Sequence, residues 1–347
     1  MGFSFVRNSP FCYTFYMAKG QLIKEGRAVR ILCYTVVKIQ RMINEQGGFM
    51  GHIQKSDEHL PVEEQPSGFT QREQAKAPHT HPIPPQAFQN GEQTVLYWLG
   101  GAGFLLNCRG TVIIIDPVLM TSPTDNGVSE LGMRLLVPLP ILAEEILQAT
   151  AILYTHTDQD HLAPQTAQAL AQTAGVYAGT NAVLARLTEL GIPEDHTQML
   201  RIGETVQFGS VAVTPTIADH GWQVLDPERY GPPHGPEDCC GFLMETPDGI
   251  IWLTGDTRFL PEHLEMGPVD VLLIDVSDDP YHLGHEKEIA LANHYDKAML
   301  VPCHYGCYDA RDALPFNGDP ARLAPWITNA DQRLLVLAPG EPLRLRL

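Results

Sequence analysis

The stretch Thr155-His156-Thr157-Asp158-Gln159-Asp160-His161 follows the apolar run Ala151-Ile152-Leu153-Tyr154 and precedes a helix-like segment, Leu162 to Ala174. Four potential metal ligands, His156, Asp158, Asp160 and His161, therefore fall within six residues, on a loop where a strand hands over to a helix. A strand end holds such a loop in place, and its turn lets side chains converge that a regular element would point apart. Imidazoles and carboxylates at this density suit one or two divalent cations. A polar loop with Asp160 capping the next helix accounts for one or two of these residues, not for four.

Working outward, the same placement recurs. Asp256 lies in Thr254-Gly255-Asp256-Thr257, directly after the strand pattern Ile250 to Thr254. A carboxylate beside glycine can approach an ion closely, and its two oxygens can bridge two ions. His220 lies in Ala218-Asp219-His220-Gly221, after the strand pattern Val211 to Thr216, and His304 in Val301-Pro302-Cys303-His304-Tyr305-Gly306. Each alone reads as a capped turn or an ordinary histidine. Together they place candidate ligands after four strands, which is how sheet enzymes collect active groups on one rim.

The long loop Trp222 to Cys239 contains Arg229, Tyr230 and His234, side chains suited to an anionic or oxygen-rich substrate. Asp278-Asp279-Pro280-Tyr281-His282 follows another strand end and is expected to line the opposite wall through Tyr281 and His282, with His285 starting the next helix. Cys303 and Cys307 flank His304 closely; Cys303 reads as a small buried residue, with a thiolate ligand as the alternative. Gly100-Gly101-Ala102-Gly103 is not a dinucleotide loop, because a strand-like run follows it and the third glycine of that fingerprint is missing.

Strand patterns are predicted at Thr94 to Leu99, Phe104 to Asn107, Thr111 to Asp116, Val206 to Thr216, Gly241 to Glu245, Ile250 to Thr254, Val269 to Ile274 and Ala298 to Pro302. Helical spacing covers Pro140 to Ala149, Leu162 to Ala174, Asn181 to Leu190 and Glu286 to His294, and Leu334 to Leu337 with Leu343 to Leu347 predicts a closing hairpin. Strands first in meanders and then alternating with helices imply two sheets with helices outside.

The 347 residues, 44% hydrophobic and 18% charged, are expected to form a soluble globular protein. A net charge of -18 disfavours nucleic acid and anionic membrane as partners. Seven cysteines without framework spacing fit free thiols in a reducing compartment, hence the cytoplasm. Residues 1–50 carry seven Lys/Arg against two Glu, and the composition switches near Met50; we read this part as upstream of a start at Met50 rather than as a targeting segment. Residues 51–92 are rich in Pro and Gln and read as an extended arm in which His79 and His81 are solvated, so residues 1–92 form an N-terminal extension and 93–347 the working domain.

These motifs resemble the metallo-β-lactamase superfamily, and within it the group around ascorbate 6-phosphate lactonase, over about Val95 to Leu347. The pattern His-x-His-x-Asp-His matches at His156, Asp160 and His161, with Gly255-Asp256 and His304-Tyr305-Gly306 as later motifs; Tyr97 to Phe104 and Ile115-Asp116-Pro117 resemble the first hairpin and the next strand end. The resemblance implies an α/β fold, an αββα sandwich of two mixed sheets flanked by helices. It implies His156, Asp158 and His220 on one metal, Asp160, His161 and His304 on a second, and Asp256 bridging. Asp158 departs from the pattern, which has histidine there; a harder carboxylate leans that site towards Mn²⁺ or Fe²⁺ relative to Zn²⁺. Two ions ~3.5–4 Å apart lower the pKa of a shared water from about 15.7 towards ~7, giving a hydroxide that attacks carbonyl carbon or phosphorus. Asp160 and Asp256 take the catalytic roles, Asp160 as a proton shuttle. The expected function is a metal-dependent hydrolase of a lactone or a phosphorylated small metabolite. The alternatives are a phosphodiesterase of the same fold and a non-catalytic metal-binding protein in which Asp158 marks a decayed site. Homo-oligomers built through the outer helices are also implied.

Overall fold

The computed structural model describes residues 74–119, 127–310 and 316–345. The expectations for residues 1–50 and for the arm as far as 73 lie outside the described residues.

Thirteen strands form two sheets among the described residues. The first runs in the order β13-β1-β2-β3-β4-β5-β6: Pro342–Arg344 (β13), Thr94–Gly100 (β1), Gly103–Cys108 (β2), Thr111–Ile115 (β3), Ala149–Leu153 (β4), Ala174–Gly179 (β5) and Thr197–Met199 (β6). The second runs β12-β11-β10-β9-β8-β7: Met299–Cys303 (β12), Val271–Asp275 (β11), Gly249–Leu253 (β10), Cys240–Thr246 (β9), Val211–Ile217 (β8) and Val206–Phe208 (β7). Each sheet is antiparallel at one side and parallel at the other, where the helices Pro164–Ala169, Asn181–Glu189 and Gly284–His294 carry the crossovers from β4 to β5, β5 to β6 and β11 to β12.

Strand alternation explains the layering. Leu96, Trp98, Phe104, Leu106, Ile113, Ile115 and Leu153 face the second sheet, meeting Val211, Val213, Phe242, Met244 and Ile251. Their neighbours Val95, Tyr97, Leu99, Leu105, Ile114 and Ile152 bury the other face, under Leu170 and under Val183 and Leu187 of the helix Asn181–Glu189. Sheet 1 is thus covered on both sides, which is why its strands read as continuous apolar runs. Leu291 and Ala292 of the helix Gly284–His294 cover the far face of sheet 2.

Three expectations are corrected. Over Pro140 to Ala149 only Ala143–Glu145 forms a 3-10 turn, closed by Glu145 accepting the Leu142 N–H, and the chain enters β4 at Ala149. The helix after Leu162 is confined to Pro164–Ala169, because the following residues turn into β5, a strand of small residues with little apolar signal. The closing hairpin does not form. Buried Arg333 donates to the carbonyls of Ala292, Tyr295, Ala298 and Thr328, Leu334 bridges to Leu300 of sheet 2, and β13 instead joins β1 of sheet 1.

Residues 74–92 run along the domain. The Ala77 N–H donates to Gly306, that of His81 to Pro339 and that of Ile83 to Pro140, while His79 and His81 are exposed. Gly306 has φ +68°, and a Cβ there would lie 2.5 Å from Ala77 N, so this close approach requires glycine.

Candidate metal centre

Six strand ends supply the site. Asp116 follows β3; His156, Asp158, Asp160 and His161 follow β4; His220 follows β8; Asp256 follows β10; Asp275 ends β11; and His304 follows β12. His282 stands before the helix Gly284–His294. Gly255 has φ +64° with Cys240 O only 2.5 Å from where its Cβ would be, so the turn that delivers Asp256 tolerates no side chain. His304 is itself left-handed, φ 63°, a conformation that costs a non-glycine residue on the order of 1 kcal/mol. Its N–H donates to Gly101 O at 2.8 Å, which holds it there.

Five imidazoles are each tied at Nδ1 and turn Nε2 inward. His161 Nδ1 meets Asp116 Oδ2 at 2.8 Å, His304 meets Ser277 Oγ at 2.8 Å, His220 meets Tyr281 O at 3.0 Å, His282 meets Asp279 Oδ2 at 2.6 Å, and His156 meets Thr155 Oγ1 at 3.0 Å. Fixing one ring nitrogen sets the tautomer and orientation of the other. Asp256 sits at the middle: its Oδ2 is 3.0 Å from His161 Nε2, 3.1 Å from His282, 3.6 Å from His304 and 3.8 Å from His220.

Among the described residues three sets of ligand atoms lie close enough to hold an ion: Asp160, His161, Asp256 and His304; His156, His220 and Asp256; and Asp256, Asp275, His282 and His304. Asp256 belongs to all three. Asp158 adjoins the second set, its Oδ2 lying 3.2 Å from His156 Nε2 and 3.4 Å from His220 Nε2. It also meets Trp222 Nε1 and His234 Nε2.

The charge balance suits cations. Burial opposes ionisation of Asp256, yet the charges of His161, His304 and His282 outweigh it and hold the carboxyl well below its usual range. Burial likewise opposes charge on His161, but Asp256, Asp116 and Asp160 raise it well above the ordinary histidine value. His156 goes the other way: burial and neighbouring His161 keep it neutral, with a free lone pair. Its buried Nε2 faces only Asp158 Oδ2, at 3.2 Å, and among the described residues Asp275 Oδ2 is buried without a hydrogen-bond partner. A buried polar atom left unpaired is costly, and a divalent cation would satisfy both. The donor set therefore fits metal.

All seven residues predicted as ligands converge. Of the predicted substrate residues, Tyr230, His234, Tyr281 and His282 line a cavity of about 520 Å³ that opens over Asp256, Asp160 and Asp158. Arg229 does not line it. Asp226 caps the single turn Pro227–Tyr230, which brings Tyr230 to the cavity and leaves Arg229 exposed, its guanidinium over the Tyr230 ring. His282 belongs with the inner imidazoles as well as the wall. Asp275 escaped sequence reasoning because it reads as the polar end of an apolar strand, Val-Leu-Leu-Ile.

Two mixed sheets under helices, with histidines and carboxylates gathered at one edge, define the class of metal-dependent αββα proteins. Residues 111–305 match the model of the beta-lactamase superfamily domain, and the chain belongs to that family. A UPF0173 metal-dependent hydrolase from Anaeromyxobacter sp. (strain K) is 31% identical over 267 residues, covering 72% of this chain and 86% of the relative. Another from Pyrobaculum arsenaticum is 26% identical over 257 residues, covering 72% and 98%. Igni18, a metallo hydrolase from Ignicoccus hospitalis, shares the fold with a TM-score of 0.55 at 18% identity, over 74% of this chain and 99% of its own. Among the described residues no helix is long and apolar enough to cross a membrane.

Proposed function

We propose that the protein is a metal-dependent hydrolase of carboxylic esters or lactones. Its His156–His220–Asp158 side and its Asp160–His161–His304 side would each hold a divalent ion, with Asp256 between them. The observation that supports this most is the ring of inward Nε2 atoms around Asp256 Oδ2, each imidazole fixed from behind. Bound there, a pair of divalent ions supplies an acidified water and a Lewis acid for the carbonyl oxygen.

The chain's own side chains handle the protons. Asp160 lines both the cluster and the cavity and accepts the proton lost by the attacking water. His282 faces the same cavity, and Asp279 holds its Nδ1. Burial works against a charged His282, but Asp275, Asp279 and Asp256 together raise it well above the ordinary value and favour the protonated ring. It gives that proton to the leaving oxygen as the acyl C–O bond breaks. Asp158, a harder ligand than a histidine in its place, leans the first side towards Mn²⁺ or Fe²⁺ relative to Zn²⁺.

Elemental analysis of natively purified protein, followed by a panel of lactones and esters against bis-p-nitrophenyl phosphate, tests the reading. About two equivalents of metal and turnover of the carboxylic substrates are expected. Diester cleavage without ester cleavage would move the protein to the phosphodiesterases, and metal below one equivalent with no activity on addition of Mn²⁺ or Zn²⁺ would leave a non-catalytic binder.

A further inference from the structure

The cavity above the cluster has two unlike walls. One carries the carboxylates. The other is built by the loop after His220 and presents Trp222, Leu225, Tyr230, Pro232 and Pro233. The Trp222 and Tyr230 rings pack at 4.8 Å between centroids, and Leu225 is 41% exposed at the mouth. The wall is anchored: Gln223 Oε1 accepts the His234 N–H, and Thr180 Oγ1 donates to Asp238 O at 3.0 Å. Its volume falls in the range of ~300–1,000 Å³ usual for small-molecule sites.

Lysine and arginine are scarce around it. Among the described lining residues Arg186 is the only Lys or Arg, and Glu189 holds its guanidinium at 2.8 Å. Asp238 and Asp279 line the cavity in addition to the carboxylates of the cluster. A phosphomonoester dianion seated on the outer wall, away from His282 and the cluster, would shed its water beside Asp238 and find no guanidinium or ammonium there except that of Arg186, which Glu189 engages, an arrangement that selects against it.

We propose that the cavity takes an uncharged ester or lactone carrying an aromatic or alkyl body, seated on the Trp222–Tyr230 wall, and rejects phosphorylated metabolites. This rests on the hydrolase reading for the bond cleaved, but not for the seat of the apolar body. The carbonyl end reaches the cluster and the apolar end replaces water at Trp222, Leu225 and Tyr230.

The test separates the two. Turnover by the metal-loaded protein is measured on 3,4-dihydrocoumarin, a neutral aryl lactone, and on a δ-lactone bearing a phosphomonoester. Binding of chroman, the matching ring without the ester carbonyl, is followed by calorimetry. The neutral lactone is expected to be preferred at least ~100-fold in kcat/KM. Trp222→Ala and Tyr230→Ala should each raise its KM, and weaken chroman binding, about tenfold. Trp222→Phe, which keeps a smaller aromatic face and loses the N–H, should restore most of that binding. Chroman binding with these sensitivities, but no turnover of either lactone, sinks the hydrolase reading and leaves the seat intact. Equal or better use of the phosphorylated lactone, or chroman binding indifferent to Trp222→Ala and Tyr230→Ala, overturns the inference.

Discussion

The Trp222 indole N–H donates to Asp158 Oδ2 at 2.5 Å, and that same oxygen lies 3.2 Å from His156 Nε2. One carboxylate thus joins the wall of the cavity to the metal cluster. Burial alone would raise its pKa, but His156, His220 and His234 hold it well below the usual range, so it stays an anion. Asp158→Asn keeps the shape and removes the charge. The variant should retain about one metal equivalent per chain after dialysis where the parent retains two. An unchanged stoichiometry by elemental analysis would show that Asp158 serves Trp222 and His234 rather than an ion.

Asp116 acts at one remove. It accepts from the Thr155 N–H and hydroxyl and holds His161 Nδ1, yet no set of ligand atoms includes it. Such an orienting carboxylate is typically worth about 10–100-fold in metal affinity. Asp116→Asn should weaken binding by that factor in a chelator competition, with the fold preserved by circular dichroism. Affinity within twofold of the parent would deny it the role.

How far the sequence foretold this site depends on the distance between its parts. His156 to His161 were legible because four candidate ligands crowd one turn, and Asp256, His220 and His304 because each follows an apolar run. Asp275 and Asp116 end strands too, but a lone aspartate at a strand end is common, and only the folded sheets bring them beside His304 and His161. Arg229 misled for a local reason: on a one-turn helix its neighbour Tyr230 takes the inward position. In the fold, strands with alternating or continuous apolar runs were legible, whereas Ala174–Gly179 and Thr197–Met199 are recruited by their parallel neighbours rather than by their own composition.

His282 gives the proposed mechanism a leaving-group signature. An alkoxide needs a proton to depart and a nitrophenolate does not. His282→Ala should therefore lower kcat on an unactivated lactone by about 10²–10⁴-fold. On a nitrophenyl ester the loss should stay near tenfold. If the two substrates suffer equally, His282 works as a ligand or a structural residue, since Asp256, Asp275 and His304 lie beside it.

Glu288 sets a pH dependence of stability. Its side chain is buried in the helix Gly284–His294 with both carboxylate oxygens unpartnered. Burial, reinforced by the charges of Asp275 and Asp278, pushes its pKa up to about 10 from an ordinary 4.5. Between those values the folded chain keeps the proton and the unfolded chain releases it. The unfolded state therefore binds fewer protons there, and stability falls as pH rises. One such group contributes a slope of about 1.4 kcal/mol per pH unit across that window. Glu288→Gln holds a neutral isostere that cannot titrate, so its stability relative to the parent should climb with pH by about that slope between pH 6 and 9. Urea unfolding of both proteins in chelator at several pH values reads the difference directly; parallel curves would mean that the Glu288 carboxyl ionises equally readily in the folded and unfolded chains.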